Sequence, residues 1–383
     1  MKKKLVALAA LSAIAGAAQA QSSVTLYGIV DAAVRYTTNQ GPASDNGQSL
    51  TSVIGGGMSQ SRWGINVNED LGGGLRALAN LEQRFGTDSG SLNSSATGAG
   101  AYWQQAWVGI QSSSLGQLRF GRQYNVLFDV TTGNFATFKY SPYIDAYKPE
   151  VALALGVRND NMVKYVVSLG GFTGGVQVSA GEGNPVGPAN AQGGKSYGGQ
   201  ASYKFGGFAV GGGYLEREDT TGLKADSWVI GGAWTGGPIY ASAGYGQSSF
   251  DRGVNVGLFL VGTGADNVFS YTNNSTTLGP AAANVDSRTL WYLNLQYQLT
   301  PAINIGGAYW NLEDEFYTGF SGKPSGDFFA FVAQYAFSKR TDAYVGLDYT
   351  DISGPVSFRG NNSTAPNGAT DRTGFMVGLR HRF

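Results

Sequence analysis

The chain has no cysteine and a single histidine, His381. Without thiols it has no disulfide framework and no thiolate-bound metal, so it must hold together by packing and hydrogen bonds. One histidine excludes most hydrolytic sites that rely on an imidazole base, and it excludes soft metal centres. Charge of one sign is also missing. The 26 basic and 26 acidic side chains cancel, and a nucleic-acid surface needs a basic excess. After the first twenty residues, no segment approaches the ~20 apolar residues that a membrane helix requires.

What the chain does have is 59 glycines, 21 tyrosines and 20 phenylalanines. These suit strands and interfacial aromatics better than helices. The mean hydropathy of −0.14 is that of a soluble protein. A transmembrane β-barrel gives the same value, because only alternate residues meet lipid. The first twenty residues read differently. Lys2, Lys3 and Lys4 precede the apolar stretch Leu5 to Ala18, and Ala18-Gln19-Ala20 is a small-x-small cleavage signal. Residues 1–20 are therefore expected to be a secretory signal peptide removed after Ala20. Loss of its three lysines leaves residues 21–383, one barrel domain, with a formal charge of −3.

Alternation predicts sixteen strands, near 23–36, 59–69, 73–85, 102–111, 116–124, 158–169, 172–181, 197–206, 207–217, 226–235, 237–247, 287–299, 302–312, 327–338, 341–351 and 372–383. The gaps between them alternate long and short. Long ones are 37–58, 86–101, 125–157, 182–196, 218–225, 248–286, 313–326 and 352–371. Tight ones include Asp70-Leu71-Gly72, Gly170-Gly171, Gly206-Gly207, Thr300-Pro301 and Lys339-Arg340. Turns on one rim and loops on the other are the outer-membrane pattern. Within 290–299, Trp291, Leu293, Leu295, Tyr297 and Leu299 share one face, and Tyr292, Asn294, Gln296 and Gln298 share the other. Sixteen such two-faced strands fit an all-β antiparallel barrel with lipid outside and water inside, which also leaves no open edge.

The segments Ser23-Val24-Thr25-Leu26-Tyr27-Gly28-Ile29-Val30-Asp31, Ser61-Arg62-Trp63-Gly64, Glu69 to Leu75 and Leu118-Arg119-Phe120-Gly121-Arg122-Gln123 resemble the general diffusion porins of Gram-negative bacteria, in the β-proteobacterial form. The final alternation ending in Phe383 resembles the closing strand of such barrels. The resemblance implies a sixteen-stranded barrel in the bacterial outer membrane, among its lipid and lipopolysaccharide. It implies a homotrimer and a third extracellular loop folded inward to narrow the pore. It implies passive passage of small hydrophilic solutes and ions, and a terminal aromatic, Phe383, that the barrel-assembly machinery reads.

The third long gap, 125–157, carries Asp129, Asp145 and Glu150 against Lys139 and Lys148. Parity turns Arg62 toward water, and on the next strand Arg76, Asn80, Glu82 and Arg84 as well. Arg158 stands seven residues before Tyr165, as the family's lumen arginine does before its strand tyrosine. Arg62, Arg84 and Arg158 are thus candidates for a basic wall opposite the loop acids, or are solvated lumen charges at other heights. Gln104 occupies a position where many relatives carry arginine, which removes one positive charge. Weak selectivity leaning toward anions is the expectation.

No enzyme, cofactor or metal site is expected. His381 falls on the lipid-side parity. Glu82 has the chemistry for a glycosidase-type carboxylate pair, yet lumen charges are the default in a barrel. Gly194-Lys195-Ser196 lacks the leading glycine of a phosphate loop, since Ala189 stands there. Two other functions remain open at this stage: a substrate-specific sugar or anion porin, and a surface adhesin acting through loops 248–286 and 352–371.

Overall fold

The computed structural model describes residues 22–45, 47–92, 102–138, 148–181, 194–254, 285–317, 323–354, 358 and 367–383. The expected leader and Asp145 lie outside them. The architecture is a closed antiparallel barrel of sixteen staves. The first eight are β1 (Ser23–Thr37), β2 (Leu50–Gly55 and Arg62–Gly72), β3 (Leu75–Arg84), β4 (Gln105–Ser112), β5 (Gly116–Tyr124), β6 (Arg158–Asn159 and Met162–Leu169), β7 (Phe172–Ser179) and β8 (Ser196–Phe205). The others are β9 (Phe208–Glu218), β10 (Lys224–Gly236), β11 (Ile239–Phe250), β12 (Val285–Gln298), β13 (Ile303–Phe316), β14 (Ser325–Ala336), β15 (Thr341–Ser353) and β16 (Asp371–Arg382). β16 pairs with β1 from Ile29↔Arg382 to Thr37↔Gly374, so the sheet has no edge.

Exposure along the staves is the reverse of a soluble core. On β12, Trp291, Leu293, Leu295 and Tyr297 are exposed, whereas Tyr292, Asn294 and Gln296 are buried. On β15, Val345, Leu347 and Tyr349 are exposed, while Asp342, Asp348 and Thr350 are buried. The inward charges are paired. Arg35 donates to both oxygens of Asp348 at 2.8 and 2.9 Å, and Arg288 grips Asp314 the same way at 2.8 and 2.9 Å. Breaking such a buried pair from one side costs about 3–5 kcal/mol. Tight turns close the short rim. Phe205 and Phe208 face each other across Gly206-Gly207, with φ of +51° and +85°. A two-residue hairpin turn of this type needs left-handed backbone at both positions.

The first long gap is shorter than expected. Leu50–Gly55 is a strand paired with β1, from Ala32↔Gly55 to Thr37↔Leu50. Gly55-Gly56-Gly57 falls inside the expected gap 37–58 and is a kink at the break within β2. Asp31 on β1 fills that break: its carboxylate accepts from the backbone N–H of Met58 at 3.2 Å and of Ser59 at 2.8 Å. A second break, between Asn159 and Met162, splits β6.

In the connection after β5, Val126–Val130 forms a single helical turn. Asn125 caps it by accepting from the Phe128 N–H at 3.0 Å. A wide turn, Thr131–Phe135, follows, and Pro149–Ala154 is a 3₁₀ helix. Lys148, just before that helix, is 4% exposed, and its Nζ has no hydrogen-bond partner among the described residues. Burial pushes its amine down to about 8, against the pull of the Glu150 carboxylate.

Below pH 8 the folded and unfolded chains both hold this proton, so the cost of burying the charge is fully present. Between pH 8 and the unfolded value of 10.5 the unfolded chain binds more protons, and stability rises with pH. Lys148→Met should therefore raise stability by on the order of 3 kcal/mol below pH 8. That gain should shrink toward zero by about pH 10.5. Denaturant titrations in detergent at several pH values would show it, and a pH-independent difference would contradict it.

Candidate functional site

Three neighbouring staves set the inward corner that carries the candidate residues. Across β1, β2 and β3 the register aligns Ile29↔Arg62↔Arg84, Tyr27↔Gly64↔Glu82 and Thr25↔Asn66↔Asn80. Residues two apart share a face, so Arg62, Arg84, Glu82 and Asn80 all project inward. Gly64 leaves room for the Tyr27 ring, which a Cβ there would meet at 2.5 Å. The Tyr27 hydroxyl then donates to Glu82 Oε2 at 3.2 Å, and Asn80 Nδ2 donates to the same hydroxyl at 3.0 Å.

Glu82 is the anionic centre of a basic cluster. Its Oε1 lies 3.6 Å from Arg62 Nη1 and 3.4 Å from Arg84 Nε. Arg84 Nη2 donates to the Tyr124 hydroxyl at 2.7 Å, and Arg158 Nη2 donates to it at 3.0 Å. The Arg158 guanidinium also sits 4.5 Å from the centre of the Tyr124 ring, a cation–π contact. Tyr124 in turn stacks on Phe128 at 4.1 Å, which ties the wall charges to the start of the loop. Gln60 bonds to Arg84 Nη1. Gln104 is buried next to this corner, its backbone N–H donating to the Glu82 backbone carbonyl at 2.7 Å. Among the described residues, three guanidinium groups around one carboxylate leave a local surplus of positive charge.

The acids of the connection lie elsewhere. Asp129 Oδ2 pairs with Lys164 Nζ at 2.6 Å, and Lys164 also donates to the Tyr124 carbonyl at 2.7 Å. Glu150 is 1% exposed. Its Oε1 accepts from Thr137 N–H at 2.9 Å and Thr137 Oγ1 at 2.7 Å, and its Oε2 accepts from Trp310 Nε1 at 2.8 Å. The structure thus gathers Arg62, Glu82, Arg84 and Arg158 into one cluster, joins Gln104 to it through the backbone, and holds Asp129 and Glu150 in separate contacts.

Tyr124 is the site residue that the sequence reading missed. Alternation from Leu118 and Phe120 sends it outward. The pairing of β5 with β6 slips by one residue between Phe120↔Val163 and Gln123↔Asn159, next to Gly121 with φ +119°. A one-residue slip exchanges the faces of a strand, and Tyr124 turns in to meet Arg158. Tyr27 was legible by parity as an inward group. Its bond to Glu82 was not, because it depends on the empty space above Gly64.

The described parts of the connection lie against inward-facing wall residues. The Val126 N–H donates to Gln177 Oε1 at 2.7 Å, and the Phe138 N–H donates to Asn294 Oδ1 at 3.3 Å. The hydroxyls of Tyr240 and Tyr292 donate to the carbonyls of Ala136 and Phe135 at 2.6 and 3.2 Å.

Comparison with known proteins places this geometry. The Gram-negative porin family model matches residues 7–355. The major outer membrane protein P.IB of Neisseria meningitidis serogroup A is 30% identical over 397 aligned residues, which cover 100% of both chains. An outer membrane porin protein of Bordetella pertussis is 38% identical over 198 residues, 47% of this chain and 48% of that protein. Among solved structures, an anion-selective porin from Comamonas acidovorans shares the fold with a TM-score of 0.71 at 21% identity, over 95% of this chain and 100% of that one. The trimer form of OmpT from Vibrio cholerae gives 0.65 at 17% identity, over 94% and 99%. The chain belongs to the Gram-negative porins, channel proteins of the outer membrane.

Proposed function

We propose that the protein is a general diffusion porin, open to small hydrophilic solutes and ions and weakly selective for anions. The observation that carries this reading is the cluster of Arg62, Arg84 and Arg158 around the lone carboxylate of Glu82, on the inward face of a wall whose outward face is apolar. The connection 125–157 narrows the channel, because its described parts bond to inward wall groups across β7, β11, β12 and β13. Solutes cross down their gradients, filtered by size and by the field of the arginines. Gln104 keeps the preference modest, and Asp145 contributes a negative charge from the loop.

One unit charge about 6 Å from an ion in water is worth about 0.7 kcal/mol. Screened over a Debye length of about 8 Å, that falls to about 0.3 kcal/mol, favourable for an anion and unfavourable for a cation, so neutralising Arg62 or Arg158 to glutamine should lower the anion-to-cation permeability ratio by about threefold. Asp145→Asn should shift it the other way. Reversal potentials across planar bilayers in a salt gradient read both effects. Arginine variants with wild-type reversal potential and conductance would place the filter elsewhere.

Three such barrels assemble side by side within outer-membrane phospholipid and lipopolysaccharide. Support comes from the trimer form among the structural neighbours and from the smooth outward stripe of β1, where Leu26, Val30 and Val34 are exposed. Gly28 shares that stripe, but the ring of Phe383 covers it, and a Cβ at Gly28 would meet the ring at 2.2 Å. Bulk at Gly28 would thus clash within the barrel and say nothing about assembly. Val34→Trp keeps the surface apolar while adding bulk. It should convert the trimer to monomers on mild gels, and an unchanged trimer would put the interface on another face.

Phe383 also serves as the mark read by the assembly machinery. Its removal should lower the amount of protein in the outer membrane of cells and leave refolding in detergent intact. Normal insertion in cells would contradict this role.

A further inference from the structure

Five inward-facing glycines cluster on β9, β10 and β11. Gly211, Gly231 and Gly244 stand in direct cross-strand register. One row away, Gly213 and Gly246 flank Val229. Glycine inside a strand weakens it, and its presence often marks a place where another part of the chain approaches closely. Here the approaching groups belong to the connection after β5. A Cβ at Gly231 would meet the Phe135 ring at 2.4 Å, one at Gly246 would meet Leu153 Cδ1 at 2.7 Å, one at Gly211 would meet Val130 Cγ2 at 3.0 Å, and one at Gly213 would meet Leu127 Cδ2 at 3.1 Å. Each of the four glycines lies beneath one loop side chain, and each of those side chains is buried. The fifth, Gly244, is covered by Tyr292, whose hydroxyl donates to the Phe135 carbonyl.

We propose that Gly211, Gly213, Gly231 and Gly246 form a berth that fixes how far the loop projects from the wall, and thereby sets the cross-section of the channel. The inference rests on the reading that this loop narrows a conducting pore. Its physical basis is the short-range steepness of packing. Phe135 is 1% exposed and lies directly over Gly231. Added bulk beneath it must lift the loop toward the channel axis. Polar contacts from Gln177, Tyr240, Tyr292 and Asn294 fasten the loop laterally, and the glycines set its depth. These residues touch no permeating solute. They act by positioning, at a distance from the arginine cluster.

The test is single-channel conductance of Gly231→Val beside Gly232→Val. The two changes add the same bulk to adjacent positions of β10, one facing in and one facing out. At Gly232 the nearest atoms to a new Cβ are Ala209 O at 3.3 Å and Val210 Cγ1 at 3.5 Å, with no loop residue among them. Gly231→Val should lower conductance by on the order of a third through overpacking beneath the loop. Gly232→Val should leave it unchanged, and adding Phe135→Ala to Gly231→Val should restore it. If Gly231→Val fails to insert, Gly231→Ala, whose Cβ meets the Phe135 ring, should give a smaller loss in the same direction. Wild-type conductance in the inward variant, or equal losses in both valine variants, would overturn the berth. A wild-type barrel that carries no current would instead contradict the channel reading itself.

Discussion

Hydrocarbon offers no partner for a backbone N–H or C=O, so a wall in lipid must satisfy each of these groups within itself. A sheet meets that demand only by closing. Here the seam between β16 and β1 completes the ring, and the pairing runs to the last residue. The Gly28 N–H donates to the Phe383 carbonyl at 3.1 Å, and the Phe383 N–H donates to the Gly28 carbonyl at 3.1 Å. The Phe383 ring lies in the space left by the missing side chain of Gly28. The C-terminal aromatic therefore completes the seam by both backbone and side chain.

Closure also sorts the residues. With period two, each stave turns one set of side chains out and the other in. The outward set is apolar because its solvent is lipid. The inward set is polar, and in a narrow barrel its members are close enough to bond across staves. That is why Arg35 finds Asp348, Arg288 finds Asp314 and Arg62 finds Glu82, which Arg84 of the same stave also approaches. The same crowding lets one connection anchor to the inside of several staves, with Tyr124 joining the basic cluster to the base of that connection.

Most of the barrel was legible in the sequence because one physical pattern repeats sixteen times. The stave β5 was placed at 116–124 and is found there, and parity assigned both faces of β12. What escaped were the places where the period breaks. Leu50–Gly55 was hidden behind a glycine run, and the bonds of Asp31 to Gly56, Met58, Ser59 and Ser61 show how the chain crosses that break. Tyr124 was hidden by a register slip that no single strand can reveal. Arg62, Glu82 and Arg84 could be assigned to the inward face from alternation, but their mutual contacts depend on the register between staves. Glu150 was read as a lumen acid by its place in the loop. Its bonds to Thr137 and Trp310 need the fold, since Trp310 is 160 residues away.

The absence of native cysteine makes the central claim, a wall with one wet face and one lipid face, directly measurable. Single cysteines at Leu293, Asn294, Leu295 and Gln296 of β12, in barrels conducting across a planar bilayer, can be exposed to a charged, membrane-impermeant thiol reagent. Asn294→Cys and Gln296→Cys should react and change the current, while Leu293→Cys and Leu295→Cys should remain silent. Reaction at all four positions, or at the leucine positions alone, would contradict the account.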